Sequence, residues 1–232
     1  MNALAPGRLY GRRKGKRLRP AQAALLRDLL PRLAIAIPAP GEMLDPTRLF
    51  DPRRREVWLE IGFGGGEHLA ALAQANPEIG LVGCEPFVNG VVKLLSAVEL
   101  GKLANVRIHA DDARPLIAML RPGSIRRVFI LFPDPWPKAR HHKRRIVEPG
   151  NLDQLARVMA PGAELRLATD DPDYALWMLE ALGRHADFEG PAASTPLDAL
   201  AEHPRDWPPT RYEAKALAAG RHPAYLRYRR RS

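Results

Sequence analysis

A short apolar segment followed by a run of glycines stands at residues 57–67: Val57-Trp58-Leu59-Glu60-Ile61-Gly62-Phe63-Gly64-Gly65-Gly66-Glu67. Val57–Ile61 predicts a β-strand, and Glu67 opens a segment with helical character that runs to Gln74. The glycines between them let the backbone turn sharply and approach a ligand without interference from Cβ atoms. A strand, a glycine loop and a helix in this order predict the first unit of a parallel α/β fold.

Strand-like and helix-like segments alternate along most of the remaining chain. Further strands are predicted at Ile79–Gly83, Val106–Ile108, Val128–Leu131 and Glu164–Ala168, and further helices at Phe87–Leu100, Pro115–Leu120, Leu152–Met159 and Tyr174–Leu182. This alternation predicts a doubly wound, mostly parallel sheet with helices on both faces, the Rossmann-like α/β class. Tyr225–Tyr228 alternates apolar and basic residues and predicts a late antiparallel strand. Residues 190–209 contain several prolines and predict a loop or insertion.

Three segments of different character are predicted along the chain. Residues 1–19 are rich in Arg, Lys and Gly, and we expect them to form a flexible basic leader. Residues 20–55 are predicted to form a helix at Pro20–Leu30, stopped by Pro31, and then a Pro-rich linker. The ordered domain is predicted to occupy residues 56–232.

The basic residues of this chain are unevenly distributed. The net charge is +10 over 232 residues, and residues 1–20, 138–145 and 221–232 hold seventeen of the thirty-six Lys and Arg side chains without a single Asp or Glu. The rest of the chain is net acidic. Local cationic patches attract phosphate backbones, so this distribution favours a nucleic-acid partner. For a terminal run alone, the alternative is a solubilising tail.

Cysteine content and hydropathy exclude several classes of protein. Cys84 is the only cysteine, so an intrachain disulfide and a cysteine-based zinc site are excluded. No apolar stretch is long enough to span a membrane, and the basic N-terminus lacks the apolar core of a signal peptide. A cytoplasmic protein is the default expectation, with an Arg-rich transit peptide as the alternative for residues 1–19.

The spacing of the glycines distinguishes between two kinds of cofactor. A dinucleotide fingerprint requires G-x-G-x-x-G, but the sixth residue counted from Gly62 is Glu67, an acid that would face the pyrophosphate. The pattern formed by Glu60, Gly62, Gly64 and Gly66 is E-x-G-x-G-x-G, which resembles motif I of class I S-adenosylmethionine methyltransferases. The amino and sulfonium groups of that cofactor are cationic, so an acidic rim is favourable.

Two further acids follow the next two predicted strands. Glu85 ends the second strand, where a doubly wound fold places a carboxylate for ribose hydroxyls. Asp112 follows the third strand and resembles the acid that meets the adenine amino group in these methyltransferases. Each signal alone has a structural alternative, a turn for the glycines and a solvated surface residue for the acids. Together, at the ends of successive strands, they predict a site for S-adenosylmethionine.

The fourth predicted strand runs into the segment Leu131-Phe132-Pro133-Asp134-Pro135-Trp136. It resembles the short Pro-rich acidic or amide motif of methyltransferases that act on nucleobase nitrogens. Two prolines stiffen the loop, so Asp134 can be aimed with little loss of entropy on binding. The alternative for Asp134 is an ordinary turn residue. Lys138 and the cations of 140–145 are predicted to hold phosphates, with a solvated charge run as the alternative.

The longer block from Phe132 to Lys138, followed by Arg140-His141-x-Lys143-Arg144-Arg145, resembles the bacterial tRNA (guanine-N7)-methyltransferase family. Three other segments resemble blocks of that family: Ala168-Thr169-Asp170 with Tyr174, Thr210-Arg211-Tyr212-Glu213, and Gly11-Arg12-Arg13-Lys14-Gly15 with Gln22. The resemblance covers about residues 10–230. Asp171 and Lys215-Ala216 depart from the family pattern, which leaves the chemistry intact.

The resemblance implies methyl transfer from S-adenosylmethionine to guanine N7 in tRNA, at the variable-loop guanosine. It implies that Glu60, Glu85, Asp112 and Asp134 face the cofactor, and that Asp134 is also the catalytic acidic residue. The substrate contacts that it implies are Lys138, Asp170, Thr210, Arg211, Tyr212 and Glu213, and the RNA contacts are Arg140, His141, His142, Lys143, Arg144 and Arg145. Asp170 and Glu213 have an alternative as helix-cap or ion-pair residues.

Three other functions remain as alternatives at this point. One is a methyltransferase acting on an adenine or guanine amino group in RNA or DNA. Another is a non-catalytic RNA-binding protein on the same fold, and a third is a nicotinamide-dependent dehydrogenase, which the glycine spacing disfavours. The expected partner is tRNA. The adjacent histidines His141 and His142 show no metal-ligand pattern, and we expect no metal, no membrane and no obligate protein partner.

Overall fold

The computed structural model describes residues 13–39 and 41–232. Residues 1–12 of the predicted leader and Pro40 of the predicted linker lie outside the described residues. The chain divides into two compact units, one that ends at Ser124 and one that runs from Ile125 to Ser232.

The described part of the first unit contains the parallel strands β1 (Val57–Ile61), β2 (Gly80–Cys84) and β3 (Val106–His109). Strand β2 pairs with β1 on one side, with Val57 opposite Gly80, and with β3 on the other. Every residue of β1 and β2 is buried. Burial on both faces explains why these strands read as continuous apolar runs rather than as alternating ones.

In the described residues of the first unit there are five α-helices and one short 3-10 helix. They are α1 (Pro20–Asp28), α2 (Leu30–Leu33), α3 (Glu67–Ala75), α4 (Val88–Gly101) and α5 (Ala113–Met119), with the 3-10 helix at Pro46–Leu49. Helices α3, α4 and α5 each follow a strand of the parallel set. The glycine loop, Glu85 and Asp112 therefore all come directly after the carboxyl ends of parallel strands, where ligands bind in this class of fold.

The segment between Pro20 and Arg55 differs in part from its prediction. Pro31 does not stop the helical region, because it lies in the first turn of α2, where a missing N–H removes no hydrogen bond. The Ile35 N–H donates to the Ile108 carbonyl at 3.0 Å, and the Leu44 N–H donates to the Met119 carbonyl at 2.7 Å. These bonds attach the Pro-rich segment to the first unit.

The second unit contains β4 (Ile125–Leu131), β5 (Met159–Thr169), β6 (Phe188–Glu189) and β7 (Ala224–Arg230). Strands β4 and β5 are parallel, and β7 pairs antiparallel with both β5 and β6. The predicted late antiparallel strand is thereby confirmed. Its helices are α6 (Pro149–Val158), α7 (Pro172–Gly183) and α8 (Arg211–Ala218), with 3-10 helices at Ala139–Arg144 and Leu197–Leu200.

Helix α8 and the first half of β5 were not predicted. Helix α8 begins at a capping box formed by Thr210 and Glu213, a sequence signature of a helix start. Both residues are also predicted substrate contacts. Among the described residues, no helix is long and apolar enough to cross a bilayer.

Candidate active site

Three glycines of the loop after β1 adopt left-handed backbone angles. Gly62, Gly64 and Gly66 have φ values of 75°, 56° and 77°, a region that residues with a Cβ rarely occupy. The Gly62 N–H donates to the Cys84 carbonyl at 2.8 Å, which ties the loop to the end of β2. Gly66 is the N-cap residue of α3. The glycine spacing in the sequence is therefore a conformational requirement of this loop.

Glu85 is held by two backbone amides just after β2. Its Oε2 accepts a hydrogen bond from the Gly64 N–H at 2.7 Å, and its Oε1 accepts one from the Phe87 N–H at 2.9 Å. The residue is buried. Because a buried carboxylate requires hydrogen-bond partners, these bonds fix its orientation and join it to the glycine loop.

Helix α4 packs against the same loop through Gly90, which the sequence interpretation missed. A Cβ built at Gly90 would stand 2.0 Å from the Gly64 carbonyl oxygen. A backbone oxygen cannot withdraw as the end of a flexible side chain can, so this position requires glycine. The signal in the sequence was a glycine inside an otherwise apolar helix, which weakens a helix and usually has a packing reason.

Glu60 forms a buried pair with His68, the second residue of α3. The His68 Nδ1 lies 2.8 Å from the Glu60 Oε2, and both side chains are almost fully buried. A carboxylate accepts hydrogen bonds, so Nδ1 carries the proton in this contact. His68 was not predicted. Its signal in the sequence was a polar side chain beside the apolar Leu69 in the predicted helix. Leu69 is buried in the structure.

Asp112 is the N-cap residue of α5. Its Oδ1 accepts the Arg114 N–H at 3.0 Å, and its Oδ2 accepts the Arg114 Nε at 3.0 Å. The preceding Asp111 pairs with the Arg13 guanidinium at 2.9 Å. Partial burial would raise the pKa of Asp111, but the hydrogen bond from the Asp112 N–H and the charge of Arg13 hold that pKa below its ordinary value. Asp111 therefore stays ionised near neutral pH.

The described end of the basic leader contacts the loop that contains Glu85. The Arg13 carbonyl accepts the Val88 N–H at 2.9 Å. The Asn89 side chain accepts the Gly15 N–H at 2.7 Å and donates to the Lys16 carbonyl at 2.8 Å. Residues 13–16 thus lie along the segments that follow β2 and β3.

The only cysteine lies at the end of β2, inside this part of the first unit. Cys84 is buried. Burial raises the pKa of its thiol well above the ordinary range, and the negative charges of Asp112 and Glu85 raise it further. The thiol therefore stays protonated and unreactive.

In the second unit, Asp134 lies on the loop that follows β4. Phe132 and Trp136, which flank it by two residues on either side, have φ values of 50° and 47°. Non-glycine residues in this region are strained and persist only where their surroundings hold them. The Phe132 N–H donates to the Ala168 carbonyl at 2.7 Å. The Asp134 side chain is exposed.

The cationic segment after this loop forms the 3-10 helix Ala139–Arg144. Lys138, Arg140 and Lys143 are exposed. The Arg144 guanidinium stacks on the Trp136 ring at 4.9 Å. Loss of hydration and the charges of the surrounding cations lower the pKa of His141, so this ring is neutral at physiological pH. The segment presents a concentrated positive charge, as the phosphate-binding prediction requires.

Arg145 differs from the other cations of this segment. Its side chain is 1% exposed. Its Nε donates to the Pro135 carbonyl at 2.8 Å, and its Nη2 donates to the Asp173 Oδ2 at 2.5 Å. The expected RNA contact requires an accessible guanidinium, whereas the structure places this one inside the protein.

The predicted substrate residues Thr210 and Glu213 have structural partners. They form the capping box of α8, with the Glu213 N–H donating to the Thr210 Oγ1 at 3.1 Å. The Tyr225 hydroxyl donates a short hydrogen bond to the Glu213 Oε1, and burial together with this carboxylate raises the pKa of Tyr225. Asp170 pairs with Arg221 at 2.7 Å. The cap and ion-pair alternatives are thus observed, and substrate contact by these residues stays a prediction.

Arg211 and Tyr212, the other two predicted substrate residues of this block, are exposed at the start of α8. The Arg211 guanidinium lies over the Tyr212 ring at 4.9 Å from its centroid. Within the described part of the chain, no group of three or more His, Cys, Asp or Glu side chains is arranged to hold a metal ion.

Comparison with known sequences identifies the family of this chain. Residues 54–225 match a family described as putative methyltransferase. The tRNA (guanine-N(7)-)-methyltransferase of Paramagnetospirillum magneticum is 51% identical over 226 residues, which cover 97% of this chain and 93% of that protein. The enzyme of the same name from Rhodospirillum rubrum is 50% identical, with coverage of 97% and 88%. The chain belongs to the tRNA (guanine-N7)-methyltransferase family.

Solved structures with a similar fold confirm the predicted fold class. The 16S rRNA methyltransferase KamB superimposes with a TM-score of 0.53 at 16% identity, over 77% of this chain and 89% of that one. An rRNA methylase from Streptococcus thermophilus gives a TM-score of 0.52 at 12% identity, over 76% and 87%. At these identities the likeness concerns the fold alone, a Rossmann-like methyltransferase fold.

The stability of this family member is expected to depend on pH through His109, at the end of β3. Burial lowers the pKa of His109 below its ordinary value of 6.5, although contact with the Asp112 carbonyl and the nearby acids opposes the shift. As the pH falls, His109 is therefore protonated at a higher pH in the unfolded chain than in the folded one. The contribution of His109 to the free energy of unfolding is complete above about pH 6.5 and is lost as the pH falls below it.

Urea unfolding of the wild type and of His109→Gln at about pH 7.5 and about pH 5.5 measures this effect. Glutamine keeps an N–H that can reach the Asp112 carbonyl. The free energy of unfolding of the wild type should fall more between the two pH values than that of the variant. Equal changes in both proteins would show that His109 does not contribute.

Proposed function

We propose that this protein transfers a methyl group from S-adenosylmethionine to N7 of guanine in tRNA, at the variable-loop guanosine. The observation that carries the proposal is the near-full-length identity with enzymes of that name, 51% over 97% of this chain. The locations of the acids and cations in the structure support it.

The first unit fits S-adenosylmethionine. Within the described residues, nothing lies within 4 Å of a Cβ built at Gly62, so the left-handed turn borders an open space that a ligand can enter. Glu85 is fixed beside this turn by its bond to Gly64. The acids near the loop suit a cofactor with cationic amino and sulfonium groups and would repel a pyrophosphate.

The proposal assigns the cofactor to the residues predicted from the sequence. Glu60, Gly62, Gly64, Gly66, Glu85 and Asp112 hold it, with Asp134 as the further acid. A carboxylate has two acceptor oxygens, and the Glu85 carboxylate therefore suits ribose hydroxyls. S-adenosylmethionine, when bound, supplies an electrophilic methyl group.

Asp134 is assigned the catalytic role in this proposal. Guanine N7 carries a lone pair and no proton, so the reaction requires alignment and charge stabilisation rather than a general base. When N7 bonds to the methyl carbon and the carbon–sulfur bond breaks, the purine ring gains a positive charge. A carboxylate on a loop stiffened by two prolines is suited to orient the reactants and to offset that charge.

The RNA is assigned to the cationic segment directly after the Asp134 loop. Lys138, Arg140 and Lys143 are exposed there, and His141, His142 and Arg144 are partly buried on the same segment. Cations grouped in this way bind phosphates with little regard to base sequence. Asp170, Arg211, Tyr212 and the Thr210–Glu213 cap are assigned to the guanosine and its neighbours.

Product analysis tests the proposal directly. The purified protein is incubated with methyl-labelled S-adenosylmethionine and unmodified tRNA, and the digested RNA is examined for the labelled nucleoside. We expect label in 7-methylguanosine, mapped to the variable loop by strand scission. Label in a methylated amino group would move the enzyme to the rival methyltransferase class. RNA binding without cofactor binding would favour a non-catalytic protein.

A further inference from the structure

Arg145 joins the Asp134 loop to helix α7. Its Nε binds the carbonyl of Pro135, which is the residue directly after Asp134. Its Nη2 binds the carboxylate of Asp173 in the first turn of α7. One guanidinium thus connects two segments that are 38 residues apart in the chain.

Aromatic rings of α7 cover the guanidinium of Arg145. Its Cζ lies 4.7 Å from the ring centroid of Tyr174 and 5.0 Å from that of Trp177. Tyr174 is itself fully buried. With two aromatic contacts and two bonded protein acceptors, the group has lost the access to solvent that a phosphate ligand needs.

Helix α7, which holds Arg145, is itself packed into the interior of the second unit. Besides Tyr174, its residues Met178, Leu179 and Leu182 are fully buried. The Trp177 Nε1 donates to the Val147 carbonyl at 2.6 Å, which holds the chain just after Arg145 against the same helix. The position of Arg145 is therefore set by the packed interior of the second unit.

The loop that Arg145 holds is strained. Phe132 and Trp136 both have positive φ values, and the bonded carbonyl of Pro135 belongs to the peptide that leads into Trp136. Strained residues of this kind relax unless their surroundings determine them. The bond from Arg145 restrains the peptide group between Pro135 and Trp136.

We propose that Arg145 is a positioning residue, which holds the Asp134 loop in its strained conformation and does not bind RNA. This inference rests on the proposed function, because it supposes that the Asp134 loop takes part in methyl transfer. It separates the cationic segment into two kinds of residue. The exposed cations bind phosphate, whereas the buried guanidinium of Arg145 orients the loop.

Steady-state kinetics with two matched variants test the inference. Arg145→Ala is expected to lower kcat by roughly 30-fold or more, with little change in the KM for tRNA. Lys143→Ala removes an exposed cation two residues away. It is expected to raise the KM for tRNA and to reduce the slope of log affinity against log salt by about one. Arg145→Ala should leave that slope unchanged.

Arg145→Lys provides the sharper distinction. A lysine keeps the charge but cannot bind the Pro135 carbonyl and the Asp173 carboxylate at once while stacking on two rings. The positioning role therefore predicts that lysine does not restore kcat. A phosphate-binding role predicts that it does. Restored kcat in Arg145→Lys, or a raised tRNA KM with a reduced salt slope in Arg145→Ala, would overturn the inference.

Hydrogen exchange supplies a readout that is independent of catalysis. In folded Arg145→Lys, amides of residues 132–138 should exchange faster than in the wild type, while β5 keeps its protection. Asp173→Asn leaves Arg145 in place and should show a smaller change in the same direction. This variant keeps the inference testable if Arg145→Ala does not fold. Unchanged exchange in both would refute the positioning role. If the wild type does not methylate tRNA but the variants still show faster exchange, only the proposed function is refuted.

Discussion

Replacing Asp134 with alanine is expected to lower methyl transfer to tRNA by a factor of ~10² to ~10³ while the protein stays folded. The side chain is exposed, and among the described residues it forms no hydrogen bond or ion pair that the fold would lose. The strained backbone around it is held by other residues, since Phe132 and Pro135 bind partners through their main chains. A loss of activity can therefore be assigned to the carboxylate itself.

Single-turnover methylation, together with separate measurements of cofactor and tRNA affinity, checks this expectation. Asp134→Asn removes the charge and keeps the size, so it separates charge stabilisation from hydrogen bonding. If charge is the main contribution, asparagine will be as poor as alanine. Glu78→Ala is the matched control, because it removes another exposed carboxylate. Glu78 precedes the amino end of β2, whereas Asp134 follows the carboxyl end of β4. A folded Asp134→Ala protein with near-normal turnover would contradict the assignment.

Gly90→Ala is expected to weaken cofactor binding and to destabilise the protein by about 1–3 kcal/mol. The new methyl group would stand 2.0 Å from the Gly64 carbonyl oxygen. Either α4 or the glycine loop must then move. Because the Gly64 N–H also holds the Glu85 carboxylate at 2.7 Å, displacement of the loop would also disturb that acid. We expect cofactor affinity to fall at least ~10-fold.

Isothermal titration with S-adenosylmethionine and urea unfolding measure the two effects of Gly90→Ala. Gly150→Ala is the control with the same chemical change in another helix. A Cβ at Gly150 would meet its nearest atom, in the Glu148 side chain, at 3.4 Å, an ordinary contact. That variant should be as stable as the wild type or gain up to about 1 kcal/mol, because alanine favours the helix. Wild-type affinity in Gly90→Ala would show that the loop can adapt.

The sequence was most informative where local pattern and fold agree. Strand β1 was predicted with its observed bounds, Val57–Ile61, because a buried parallel strand followed by glycines has a clear local signature. The prediction that Pro31 stops a helix was wrong, since proline is tolerated in a first turn and a new helix begins at Leu30. Whether a proline ends one helix or starts another depends on packing that the local sequence does not specify.

The residues that orient the proposed site were harder to find. His68, Gly90 and Arg145 act through contacts with Glu60, Gly64 and Pro135, and two of these pairs are separated by ten residues or more. Composition made Arg145 look like its neighbours, because a run of cations has the same appearance whether a member is exposed or buried. Only the three-dimensional structure distinguishes an exposed charge from a charge that is buried and paired.

The buried thiol of Cys84 makes this protein suitable for site-specific labelling. It is the only cysteine in the chain, and its raised pKa keeps it from forming the thiolate that maleimides attack. A cysteine introduced at an exposed position is then the sole reactive group in the native protein. A fluorophore can be attached near the Asp134 loop or on α8 without first replacing the natural cysteine, so that the arrival of tRNA can be followed by the emission of one dye.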